Sequence, residues 1–181
     1  MDDEDQRASI EQRMTRESHD LVALLLSKLE EQIERTEHLL TLIPEDKLEW
    51  KPLPGTLGVC DLLGHLLECL AGFCAALFAL NPEGLAHFAS LKERPVNHYC
   101  GIEEAHQRIT EYSKCIREGF ALIGDDDLTR RIPTVLAQQG EAVMTILLGN
   151  LEHLINHKYQ LFFYLKLTGV EVGTEDLYKF R

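Results

Sequence analysis

The sequence lacks the features that mark membrane-spanning, secreted and nucleic-acid-binding proteins. A bilayer requires a run of about 18 uncharged apolar residues, and the longest apolar stretch here, residues 69–80, has only twelve. The first five residues, Met-Asp-Asp-Glu-Asp, are acidic, whereas a secretory signal begins with positive charge and a transit peptide is rich in Arg and Ser. The net charge of -12, without a basic patch, would repel a phosphate backbone. These absences predict a cytoplasmic protein that binds neither membranes nor nucleic acid.

The cysteines also lack a recognisable pattern. There are five of them, an odd number, and no two form a Cys-x-x-Cys pair. This argues against a disulfide framework and against a structural zinc site. Most are set in apolar helical segments, so we expect reduced, buried core residues. They are Cys60, Cys69, Cys74, Cys100 and Cys115.

The fold is indicated by helical periodicity. The 181 residues, 45% of them hydrophobic and 27% charged, fit one soluble domain. Residues 1–15 are highly charged and weakly periodic, which predicts an N-terminal arm before a single domain over 16–181. Apolar positions then follow the 3.6-residue period in four long segments, and no sustained β alternation occurs. We therefore predict an all-α four-helix bundle with a long crossover connection. The four helices are expected at about 17–43, 57–80, 102–123 and 141–167.

The segments between these helices contain breaks and turns. Residues 48–56 hold two prolines and a glycine, which exclude a continuing helix, and Trp50 is expected to anchor this loop to the core. Thr56 is predicted to cap the second helix. Shorter elements are predicted as a helical piece at about 83–92, a brief extended segment at 134–137 and a last helical turn through 178–180.

A polar stripe on the fourth helix is the strongest functional signal. It consists of residues at steps of three and four within an apolar segment, which places them on one helix face. Burying these groups unsatisfied would cost several kcal/mol, whereas a metal ion, waters or neighbouring side chains would satisfy them. The stripe could instead face solvent, or its histidines could fill space between helices. Its members are Asn150, His153, His157, Gln160 and Tyr164.

His153 and His157 lie one turn apart, so two ring nitrogens can reach the same metal ion. His65 sits in the second apolar helix and could supply a third ligand. His106, which lies in the third predicted helix, is a reserve ligand.

Four pieces of the sequence occur in an order that resembles the DinB/YfiT-like superfamily of four-helix bundles, and the resemblance spans nearly the whole chain. It implies that His65, His153 and His157 hold a divalent metal, and it favours a homodimer. Lys158 stands where arginine is common in that motif and Tyr159 where glycine is frequent, and both differences leave the three ligands unchanged. The matching pieces are residues 50–55, 59–66, 153–160 and 168–170.

Three neutral imidazoles leave one to three coordination positions open, which is typical of catalytic or substrate-binding sites. Zinc or nickel fits this ligand set best, and iron or manganese also fits. Characterised members of the resembling superfamily include S-transferases and isomerases that work with small bacterial thiols. The resemblance therefore implies a small-molecule substrate and a low-molecular-weight thiol as cosubstrate.

Two further residues are candidates for roles near the metal. Glu68 lies one turn after His65, and Gln160 lies one turn after His157, so either could move protons or orient a ligand. Each could instead be a solvated helix residue. Three functions stay open: thiol transfer to an electrophile, metal-assisted hydrolysis, and a stress-related protein that binds a metal or ligand without turnover. The first two need an open coordination position, and the third tolerates a full ligand shell.

Overall fold

The structure is a computed structural model that describes residues 20–134 and 138–178. It confirms the all-α prediction, because four long helices account for most of the described chain. The predicted arm at 1–15 lies outside the described residues. The long helices are α1 (Asp20–Thr41), α2 (Val59–Leu80), α3 (Ile102–Phe120) and α4 (Val143–Leu167), followed by the short α5 (Thr174–Leu177). Single 3₁₀ segments occupy Glu45–Lys47, Ala86–Glu93 and Asp125–Thr129.

The four long helices surround one apolar core. Helices α1 and α2 each pack against both α3 and α4. By length and composition α2 could cross a membrane, but most of its residues are buried inside the protein. Its apolar character therefore follows from its position as the core helix, which contacts neighbours on several sides.

Several boundaries differ from those predicted. Helix α2 begins at Val59, and its N-terminus is closed by Asp61, whose Oδ2 accepts a hydrogen bond from the Gly58 amide at 3.2 Å. Thr56 does not cap the helix: its hydroxyl donates to the Leu53 carbonyl at 2.7 Å and closes the preceding turn. Helix α3 ends at Phe120, not at residue 123.

A short antiparallel pair of strands precedes α4. Strand β1 (Arg131–Ile132) pairs with β2 (Glu141–Ala142), and Gly140 in the turn between them has a φ of 83°. An extended segment was predicted at 134–137, but the strand lies at 131–132, and residue 134, the only described residue of the predicted segment, is not in a strand. Because Glu141 belongs to β2, helix α4 begins two residues later than expected. Residues 135–137 lie outside the described part of the chain.

The C-terminal segment is fastened to α1 and α4 by polar contacts. Lys158 is buried, and its Nζ donates to Gln32 Oε1 at 2.7 Å and to the Leu177 carbonyl at 3.1 Å. Burial lowers the pKa of Lys158 to about 8. His38 adds a contact between its Nε2 and Asp176 Oδ1 at 2.7 Å. The last helical turn was predicted through 178–180, but α5 lies earlier, at 174–177, and Tyr178 is not helical; residues 179 and 180 lie outside the described part of the chain.

The connection between α2 and α3 is held tightly against α2. The Asn97 amide donates to the Gly64 carbonyl at 3.0 Å, and the Cys100 amide donates to the Cys60 carbonyl at 3.1 Å. A Cβ on Gly64 would lie 1.9 Å from the His98 carbonyl oxygen, so only glycine permits this approach. Asn97 itself has a positive φ of 54°, a conformation that asparagine tolerates better than most residues.

Candidate metal centre

Three imidazoles meet between α2 and α4. His65 comes from α2, while His153 and His157 come from successive turns of α4. One ligand atom from each ring lies within 4.8 Å of the others, and the ring centroids are 4.3 to 4.9 Å apart. The Nε2 atoms of His65 and His153 are separated by 3.1 Å. Two nitrogens bound to one zinc at about 2.0–2.1 Å would be at a similar separation.

The proton on His65 is positioned by a side chain from the connection to α3. The side-chain amide oxygen Oδ1 of Asn97 lies 2.5 Å from His65 Nδ1. Glu68 Oε2 approaches the same nitrogen at 3.2 Å. Both oxygens are acceptors, so Nδ1 carries the ring proton and Nε2 presents its lone pair to the other two histidines. His65 therefore has the tautomer that a metal ligand needs.

A chain of hydrogen bonds sets the tautomer of His157 in the same way. The Tyr164 hydroxyl donates to the Leu57 carbonyl at 3.1 Å and accepts from Gln160 Nε2 at 2.8 Å. The amide oxygen of Gln160 then faces His157 Nδ1 at 2.9 Å and accepts its proton. The Nε2 of His157 is left free to bind a metal ion. The ring of Trp50 packs edge-on against that of Tyr164, with 5.2 Å between the ring centroids. Trp50 also packs against the core, which confirms the prediction that it anchors the loop.

Burial keeps the histidines of α4 neutral. It lowers the pKa of His153, and the nearby ring of His65 lowers it further. Burial also lowers the pKa of His157, although the hydrogen bond to Gln160 partly offsets that effect. Neutral imidazole is the form that binds a metal, so His153 and His157 are ready for an ion near pH 7.

The three residues fit a divalent transition metal. All three ligands are imidazoles, and all three side chains are partly exposed. In two of the rings, His65 and His157, a hydrogen bond holds the proton on Nδ1, the outer nitrogen that faces away from the group. Residues His65, His153 and His157 could therefore hold a metal ion at a position that solvent partly reaches. The assignment of the three as ligands of a bound metal remains a prediction.

The other candidates from the sequence lie at different distances from this group. Gln160 touches His157, and Glu68 touches His65, both on the outer nitrogen of the ring. His106 lies on α3, near Glu37, and does not join the group.

Two parts of the site's surroundings were not anticipated. Asn97 was missed because nothing in the periodicity of a loop indicates which residue meets a distant helix. Its only local signal is an asparagine between Pro95 and His98, where a turn is favoured. The Leu57 carbonyl, which ends the hydrogen-bond chain through Tyr164, is a backbone group and has no sequence signal.

Cys69 was the cysteine whose role was least clear, because it follows His65 by one turn. Its Sγ lies 3.7 Å from the His65 carbonyl oxygen and is buried. Burial raises the pKa of this thiol to about 12, so it stays protonated. All five cysteines are free thiols, and all but Cys115 are buried, as predicted.

Comparisons with known proteins identify the fold. No protein-family model matches the sequence, and no curated protein matches it. The solved structures it resembles include a DinB-like protein from Bacillus subtilis, with a TM-score of 0.65 and 19% identity over 87% of this chain and 99% of that one. A DinB-like protein from Bacillus cereus has a TM-score of 0.61 and 16% identity over 82% of this chain and 93% of that one.

A proposed member of the DinB family from Exiguobacterium sibiricum has a TM-score of 0.59 and 20% identity over 86% of this chain and 96% of that one. All three structures are matched over nearly their full length, which agrees with the resemblance seen in the sequence. The chain therefore has the fold of the DinB-like proteins, with three histidines in that fold that could hold a metal ion.

Proposed function

We propose that this protein is a metal-dependent enzyme that transfers a low-molecular-weight thiol to an electrophilic small molecule at the three-histidine group. The observation that carries the proposal is the convergence of His65, His153 and His157, with hydrogen bonds that leave metal-binding nitrogens free. Among the described residues no carboxylate belongs to this group, so its neutral ligands would not offset the charge of a bound divalent cation. Such a cation would supply the Lewis acidity that lowers the pKa of a thiol.

The thiol must come from outside the chain. Cys69 is the cysteine nearest to His65 in sequence, but its buried thiol has a pKa of about 12 and touches a backbone carbonyl. The thiolate is the nucleophilic form. A protonated, enclosed thiol cannot attack a substrate, which favours a small soluble thiol that enters from the exposed side.

The remaining residues have supporting tasks in this proposal. Asn97 and Gln160 orient the imidazoles of His65 and His157 through their outer nitrogens. Glu68 is the carboxylate whose charge acts on both His153 and His157, and its side chain is 43% exposed. It is therefore suited to accept the proton released by the thiol and to pass it to solvent.

The same carboxylate supports a second candidate function, metal-assisted hydrolysis. Glu68 contacts the ring nitrogen of His65 that faces away from the metal position, so it would accept a proton from an attacking water by way of solvent, and the resulting enzyme would need no thiol. A third candidate, binding of a ligand without turnover, requires only the metal and the exposed side of the group. A reaction panel separates these three functions.

Metal content is the first measurement. Wild-type protein, H153A and the control H87A are loaded with Zn²⁺, washed and analysed for bound metal. His87 is exposed and contacts Glu118 at 3.2 Å, away from the three-histidine group, so its loss should leave the metal content unchanged. H153A should lose one equivalent. Equal metal in wild type and H153A would contradict the proposed centre.

The second measurement is product formation. Electrophiles and esters are offered with and without small thiols, and products are followed by mass spectrometry. Thiol adducts that require Zn²⁺ and disappear in H153A would support transfer. Ester cleavage without thiol would support hydrolysis instead, and metal binding without any product would favour a binding protein.

A further inference from the structure

A second group of metal-ligating side chains lies on the connection that leads into α3. His98, Cys100 and Glu104 each offer one ligand atom, and these atoms all lie within 4.8 Å of one another. The group combines an imidazole, a thiol and a carboxylate, which are the donor types of zinc sites. It shares no residue with the three-histidine group and does not depend on the function proposed for it.

The backbone that carries these side chains is held in place. Just before His98, the Asn97 amide donates a hydrogen bond to the Gly64 carbonyl. Two residues after His98, the Cys100 amide donates a hydrogen bond to the Cys60 carbonyl at 3.1 Å. Glu104 lies in the first turn of α3. Ligands on a rigid backbone lose little freedom when a metal binds, which favours affinity.

His98 has an unexplained nitrogen. Its Nε2 lies 2.9 Å from Glu104 Oε1, but its Nδ1 is buried and has no hydrogen-bond partner among the described residues. Leaving such an atom unsatisfied costs roughly 1–3 kcal/mol. A bound ion or water is the usual explanation for a buried polar atom of this kind.

The thiol of Cys100 also lacks a function in the three-histidine group. It is completely buried and has no disulfide partner. Burial and the charge of Glu104 raise its pKa to about 12, so without a cation it remains a thiol. A transition metal binds the thiolate, and its charge compensates for the burial of that thiolate.

The positive charge of Arg108 lies close to Glu104, one of the three candidate ligands. Its Nη1 lies 3.6 Å from Glu104 Oε1, and the same guanidinium donates to the Pro95 carbonyl and to the Tyr112 hydroxyl. Arg108 would keep these two acceptors if Glu104 turned toward a cation. The guanidinium would lose its contact with the Glu104 carboxylate, and this loss and its positive charge both lower the affinity of the site for a cation.

We propose that His98, Cys100 and Glu104 form a second cation site, selective for Zn²⁺ and similar metals, that fastens the start of α3 to the connection before it. Binding breaks the S–H bond of Cys100, forms a metal–sulfur bond and releases one proton to solvent. His98 binds the cation through Nδ1, whose lone pair has no partner, while its Nε2 keeps the ring proton, and the Glu104 carboxylate turns from Nε2 to the cation. Water completes the coordination.

Cobalt titration distinguishes this site from the three-histidine group. Only a cysteine-containing site gives a thiolate-to-Co²⁺ charge-transfer band in the near ultraviolet. Wild-type protein should show the band and bind two equivalents of Co²⁺. H65A should keep the band but bind one equivalent of Co²⁺ less, because this substitution removes a ligand of the three-histidine group only.

Cysteine variants identify the thiol. C100S should lose the band and one equivalent of Co²⁺, whereas the control C69S should keep both, although Cys69 is also buried. Absence of the band in wild type, or its persistence in C100S, would overturn the proposal. Loss of the band in C69S alone would do so as well, because the metal would then be bound by a different cysteine.

A third variant covers the case in which C100S fails to fold. E104Q changes a side chain that is 41% exposed and keeps an oxygen for Arg108, so the variant should fold even if it is somewhat less stable than the wild type. The Co²⁺ affinity measured from the band should fall by roughly tenfold or more, because even the loss of an outer partner of a metal ligand typically costs about 10- to 100-fold. An unchanged affinity in E104Q would contradict the proposed ligand set.

Discussion

The contact between Asn97 and His65 leads to a quantitative prediction about metal affinity. Replacing Asn97 by glycine removes the oxygen that accepts the His65 ring proton and leaves the backbone undisturbed, because glycine adopts the observed φ of 54° freely. Alanine would add backbone strain and confuse the result. The amide hydrogen bond from residue 97 to the Gly64 carbonyl is retained in the glycine variant.

The expected magnitude follows from the contacts of His65 Nδ1. One neutral hydrogen bond contributes about 0.5–1.5 kcal/mol, which corresponds to about 2- to 12-fold in affinity. Glu68 Oε2, at 3.2 Å from the same nitrogen, can take over part of this role. We therefore expect N97G to bind Zn²⁺ about 3- to 10-fold more weakly, and the double variant N97G/E68A about 10- to 100-fold more weakly.

Competition with a chromophoric zinc chelator at pH 7 measures these affinities. N97D is the matched control, because aspartate also tolerates positive φ and offers an acceptor oxygen to His65. It should bind Zn²⁺ at least as tightly as the wild type. Equal affinities for wild type and N97G/E68A would refute the reasoning, and so would a loss in N97D as large as that in N97G.

Three further predictions concern packing and pH. G64A should lower the free energy of unfolding by about 1–3 kcal/mol and weaken Zn²⁺ binding, because the added Cβ displaces the connection to α3. The control G149A, which has open space around its Cβ, should raise the free energy of unfolding by about 0.5–1 kcal/mol. Denaturant titration measures both free energies. The pKa of Lys158 is about 8 in the folded state and 10.5 in the unfolded state, so the unfolded state binds more protons between these values. The free energy of unfolding should therefore rise with pH across this window, by at most about 3 kcal/mol, and a difference between wild type and K158M that is independent of pH would contradict the assignment. Because the pKa values of His153 and His157 lie below 6.5, Zn²⁺ affinity measured across pH should persist to below 6.5 before protons displace the metal, and a midpoint above 6.5 would be inconsistent with their burial.

The sequence could predict those parts of the site that repeat along one helix. His153, His157 and Gln160 lie on one face of α4 because their spacing matches the helical period, and the contact of His157 with Gln160 follows from that spacing. The predicted boundaries were less accurate where short polar residues act locally. Thr56 and Asp61 both resemble helix caps in the sequence, and only their backbone geometry decides which one caps α2.

By itself the sequence determined an all-α chain, the four long helices and a pair of histidines on one of them, since helical periodicity and side-chain spacing are local properties. Only the tertiary structure decided that His65 meets His153 across 88 residues, and that Asn97 reaches His65 from a loop. These contacts depend on how α2 and α4 pack and on the close approach that Gly64 allows. Such approaches are set by the shapes of distant surfaces, which no local pattern encodes.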